Sequence, residues 1–121
     1  PIQVKTSRSH SWPSRADLWL NIEIDETTKK QISLGPRDIT NPQLIFICIS
    51  LGKERTGDRF FVCLKSDIQA ACILSYTRWM DSKDWIRPRN FRSLDNRYYL
   101  DDLLQFENNW SLIARQLGEQ A

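Results

Sequence analysis

Gln3 and Lys5 stand one residue apart in Pro1-Ile2-Gln3-Val4-Lys5-Thr6-Ser7, with Ile2 and Val4 alternating against them. A period of two places the polar pair on one face of a β-strand and the apolar pair on the other. Gln3 can offer a neutral carbonyl oxygen to a hard cation such as Mg2+ or Mn2+, and Lys5 can orient or polarise an attacking water. Phosphodiester cleavage needs both a metal on oxygen ligands and a cation near the nucleophile. Beyond the strand, Arg8, His10 and Arg15 continue a stretch of fifteen residues without an acid. A phosphate backbone running past it would meet only positive charge. Trp12, alone in this polar stretch, suits either an anchor against the body of the domain or a stacking face for a base.

Other groupings point less clearly to chemistry. Ser7, Ser9 and Ser11 flank His10, but no elbow glycines or oxyanion-hole pattern surrounds them. Asp101, Asp102 and Glu107 fall near the starts of helical segments, where negative charge complements the helix dipole. Cys48, Cys63 and Cys72 lie inside apolar segments without CxxC spacing, the pattern of buried thiols in a reducing, cytoplasmic setting. A second basic zone spans residues 78–97, where Arg78, Lys83, Arg87, Arg89, Arg92 and Arg97 outnumber Asp81, Asp84 and Asp95. Trp85 within it is a further stacking candidate.

Residues 1–7, followed by Ser11-Trp12, resemble the third motif of PD-(D/E)xK (restriction-endonuclease-like) nucleases, in the variant where Gln replaces the usual acid. The chain is also similar to a group of small bacterial proteins of that superfamily. There an apolar strand, here Leu44 to Leu51, precedes an aromatic strand and a polar helix start, here Phe60 to Asp67. A helix and a closing segment follow, matched by Tyr76, Trp79, Arg92, Leu100 and Asn108-Asn109-Trp110. The resemblance implies a Mg2+-dependent endodeoxyribonuclease with Gln3 as metal ligand and Lys5 at the water. It also implies a DNA substrate contacted by Arg8, His10, Trp12 and Arg15. The superfamily places a helix and an Asp-bearing strand before the motif strand, and neither stands before Gln3. The expectation is therefore an N-terminally truncated fold with half a site, whose alternative function is a non-catalytic nucleic-acid- or protein-binding module. Asp17, Glu23 and Asp25 are the nearest acids that could substitute.

These residues must be carried by ordinary elements. The motif strand occupies residues 1–6, and an antiparallel core hairpin occupies 43–64, its first strand apolar enough to be covered on both faces. Leu18 to Ile24 alternates as a half-buried strand, while residues 25–41 suggest turns and one helical turn. A helix over 66–80, capped by Ser66, should pack on the sheet, and short helical pieces over 100–117 should stop at Gly118. The fold expected is one α/β (α+β) domain over 1–121, a mixed central sheet flanked by helices.

With 121 residues, the chain can bury roughly two-thirds of its unfolded surface, so neither disulfides nor a structural metal are needed. Net charge is +2, which gives no global argument for nucleic acid; only the local basic zones do. No apolar run approaches the roughly 20 residues that span a bilayer. An open sheet edge left by missing strands would favour a homodimer.

Overall fold

The computed structural model describes residues 2–53 and 57–120. Its centre is a three-stranded sheet in the order β1 (Ile2–Ser7), β5 (Ile45–Ser50), β6 (Arg59–Leu64). β1 runs parallel to β5, with Gln3 opposite Phe46 and Lys5 opposite Cys48. β5 and β6 form the expected antiparallel hairpin, Cys48 opposite Phe61. Pro1 and residues 54–56 of the connecting turn lie outside the described residues.

One face of this sheet makes the main core. Phe46, Cys48, Phe61 and Cys63 pack against Ile68, Ala71 and Cys72 of α1 (Lys65–Ser82) and against Trp12 and Tyr98. Burying these side chains supplies roughly 1.5–3 kcal/mol for each large one. The helix begins one residue before the expected start. Asp67, not Ser66, caps it, its carboxylate accepting the Leu64 N–H at 2.8 Å.

Two small antiparallel pairs complete the sheet structure, and both depart from expectation. β2 (Ser11–Pro13) pairs with β7 (Arg97–Tyr99), placing Trp12 opposite Tyr98 in what reads as loop sequence. β3 (Leu20–Ile24) pairs with β4 (Gln31–Pro36), a strand where residues 25–41 suggest turns and one helical turn. Buried Gln31 explains that hairpin's attachment. Its amide nitrogen donates to the carbonyls of Phe91 and Ser93, and its Oε1 accepts the Tyr76 hydroxyl at 2.6 Å. Gln69 of α1 ties down the other end, donating to the carbonyls of Trp19 and Arg37.

The closing segment is a 3-10 stretch, Leu100–Phe106, followed by α2 (Ser111–Gln120). The helix passes through Gly118 instead of stopping there, because that glycine does not take the left-handed backbone of a helix stop. The architecture is thus α+β, with one mixed sheet and two antiparallel pairs. No helix among the described residues is long and apolar enough to cross a membrane.

Candidate nucleic-acid interface

β1 carries the motif, and its register decides where the motif points. Gln3 and Lys5 share a face with Phe46 and Cys48, the side that packs on α1. Among the described residues β1 is an edge strand with no strand paired on its outer side, and both polar side chains are exposed. They line one wall of a groove of about 1480 Å3. α1 residues from Lys65 to Ser82 line it too, so at 1.5 Å per residue it extends about 25 Å along the helix. A groove of that length can follow several phosphates of a nucleic-acid backbone.

Its charge is uneven. Lys5, Arg15, Lys65, Arg78, Arg87 and Arg97 line it against Asp38, Asp95 and Asp102. Several of the cations are already engaged. Arg15 meets Asp17 at 3.0 and 3.2 Å, Arg97 donates to the Ser11 hydroxyl at 2.9 Å, and Lys65 donates to the Thr40 carbonyl at 2.7 Å. Arg78 reaches Asp102 at 3.4 Å, while the other oxygen of that carboxylate accepts the Tyr99 N–H. Arg87 lies over the Trp79 ring, 4.7 Å from its centroid, and Trp79 is 38% exposed. Lys5 alone of the six has no hydrogen bond or ion pair among the described residues. Its charge is felt beneath it: burial pushes the Cys48 thiol up to about 11, while the Tyr98 hydroxyl and then the Lys5 ammonium pull the other way.

Of the residues singled out from sequence, Gln3, Lys5 and Arg15 come together in this groove. Arg8 and His10 do not line it. Arg8 is exposed past the end of β1, and His10, at φ 59°, holds the Ser50 hydroxyl through Nδ1 at 2.6 Å. Trp12 is a correction. It is 2% exposed, stacked on Tyr98 at 5.5 Å and edge-on to Phe61 at 6.2 Å, so its ring has no free face for a base. Trp85 is likewise engaged, packed edge-on to Tyr76 with its Nε1 donating to Asp81. Among the described residues the exposed tryptophan of the groove is Trp79, which the sequence did not single out for stacking. Lys65 was missed as well. Its only signal is a cation at the junction of a buried strand and a helix.

The donors present do not suit Mg2+ or Mn2+. Gln3 offers a neutral amide oxygen, whereas such ions are held through one or two carboxylates plus waters. Among the described residues no group of three His, Cys, Asp or Glu side chains converges to hold a metal. The three candidate substitutes are elsewhere: Asp17 pairs with Arg15, Glu23 is exposed on β3, and Asp25 accepts the N–H groups of Thr27 and Thr28 in its own turn. Asp102 and Glu107 serve structure, Asp102 at the 3-10 start and Glu107 gripping Arg59 at 2.7 and 2.8 Å.

Comparison with protein-family models, with curated proteins and with solved structures finds no match to this chain.

Proposed function

We propose that this protein is a nuclease-like DNA-binding protein whose groove follows the phosphate backbone, with Lys5 as the cation that is free among the described residues. The observation that carries the reading is the arrangement of Gln3 and Lys5 on the groove face of an edge strand, beside five further cations. Backbone contacts of this kind are electrostatic and do not need a metal. As the groove stands, the protein binds without cleaving. A restriction-endonuclease-like core is part of the proposal, supported by the motif strand lying parallel to the apolar strand with a helix on the sheet face.

A second reading is the Mg2+-dependent endonuclease, favoured by the i, i+2 placement of Gln3 and Lys5 on one open face. It requires carboxylates that this groove does not bring together. Two titrations separate the readings. Fluorescence anisotropy with a labelled DNA duplex should show binding that needs no Mg2+ and that weakens as salt is added, Mg2+ competing as any counterion does, and calorimetric titration of the protein with Mg2+ should show no saturable site. Absence of DNA binding at low salt would overturn the first reading. Saturable Mg2+ binding with nicking of the duplex would replace it with the second.

Three buried free thiols are at home in a reducing compartment, and we extend the proposal to a cytoplasmic location.

A further inference from the structure

The central sheet ends in two edges, and they are treated differently. The outer edge of β6 is closed by the segment after the 3-10 stretch: the Asn108 N–H donates to the Phe60 carbonyl at 2.8 Å, and the Asn109 side-chain amide donates to the Val62 carbonyl at 3.2 Å. Among the described residues β1 has no such cover, and residues 2–6 are all exposed. The direction of its main-chain groups can be fixed. The Leu51 N–H donates to the Ser7 carbonyl at 2.8 Å in a parallel ladder where Ser7 is opposite Ser50. Ser7, Lys5 and Gln3 therefore turn their N–H and C=O groups toward β5, and Thr6, Val4 and Ile2 turn theirs outward. Among the described residues these outward groups meet no partner.

Two usual guards of an edge strand are absent from β1: pairing with β5 runs without a bulge from Ile2 to Ser7, and no proline interrupts it. Its one charge, Lys5, lies on the groove face, so it restricts which register a second strand can take without blocking the edge. The opposite face presents Ile2 and Val4, 45% and 55% exposed, beside half-buried Ile47 and Ile49.

We propose that β1 pairs antiparallel with β1 of a second copy, with Val4 opposite the partner's Val4, joining the two sheets into one. The register follows from the sequence. Val4 opposite Val4 sets Ile2 against the partner's Thr6 and Thr6 against the partner's Ile2, so every outward residue gives one hydrogen bond and takes one. The same register sets Gln3 beside the partner's Lys5, a neutral acceptor beside a cation. A slip of two residues one way would oppose Lys5 to Lys5, which like charges disfavour. The other way opposes Gln3 to Gln3 and leaves both Thr6 residues unpaired. On the apolar face the Val4 pair forms the centre, flanked by Ile2 and the β5 isoleucines. Six residues of strand make a small contact beside the roughly 1,200 Å2 of a stable interface, so the dimer is reversible and concentration-dependent. The inference is independent of what the groove binds.

Sedimentation equilibrium over a concentration series, on the wild type, Val4→Pro and Val4→Thr, tests it. Val4→Pro removes an outward N–H that β5 does not use, at an edge position that tolerates proline. Wild type and Val4→Thr should associate reversibly, and Val4→Pro should do so about thirtyfold more weakly, having lost both Val4 bonds of the pair. Circular dichroism should show the variant folded. Amide exchange in the wild type gives a readout free of any mutation: the Val4 and Thr6 amides should gain protection as concentration rises. A monomer at all concentrations, a dimer that Val4→Pro leaves intact, or protection of these amides that does not depend on concentration would overturn the proposal.

Discussion

β6 and β1 flank the same central strand, yet one edge is sealed and the other is bare. At β6, Phe61 is fully buried, Arg59 grips Glu107, and Asn108 and Asn109 occupy the outward carbonyls. At β1, apolar and polar residues alike face solvent. The closed edge holds the fold together, and the open edge carries the candidate site. An edge strand leaves its side chains free on the groove side, which is what a residue meant to touch a ligand requires, and it leaves a row of main-chain groups free as well.

The largest expected effect separates the two edges by stability. Phe61→Ala should cost about 3–5 kcal/mol, because a fully buried ring is lost from the core. Val4→Ala on the bare strand should stay within about 0.5 kcal/mol. Urea denaturation of both variants at low protein concentration checks this. A Val4→Ala cost comparable to that of Phe61→Ala would mean that β1 is covered in the folded monomer, and the contrast would fail.

A smaller effect is set by pH. The Arg59 guanidinium, through its hydrogen bonds to Glu107, holds that carboxyl below its ordinary value of 4.5. A lowered carboxyl contributes its stabilisation above the ordinary value and loses it as pH falls through the lowered one. The closed edge should therefore loosen in acid, and the Asn108 amide should lose exchange protection there. Glu107→Gln should abolish that pH dependence. An Asn108 protection factor that follows pH equally in wild type and Glu107→Gln would show that another group controls the edge.

Much of the frame was legible in the sequence because it depends on local apolar pattern. The hairpin of β5 and β6 and the helix after it follow from runs such as Leu44 to Leu51 and from helical spacing in α1. The pairing of Trp12 with Tyr98 was not legible. It joins residues far apart in sequence, and Trp12 sits among serines that read as loop. Gln31 was hidden for the same reason, since a buried polar residue is explained only by partners such as Tyr76 and Phe91 that the fold brings to it. The groove was half legible: the period of two set Gln3 and Lys5 on one face, and the basic zone of 78–97 supplied Arg78, Arg87 and Arg97. Ile2 and Val4 showed the limit of that reasoning. Their alternation suggests a buried face, but burial needs a neighbour on the outer side, and among the described residues β1 has none.

The central claim is that Lys5, standing free in the groove, neutralises a phosphate. The slope of log affinity for duplex DNA against log salt, measured for wild type, Lys5→Ala and Arg8→Ala, tests it most directly. Removing one phosphate contact should lower the magnitude of the slope by about 1. The groove reading predicts that loss for Lys5→Ala and an unchanged slope for Arg8→Ala, which lies outside the groove. An unchanged slope in Lys5→Ala, with the loss appearing in Arg8→Ala, would contradict it.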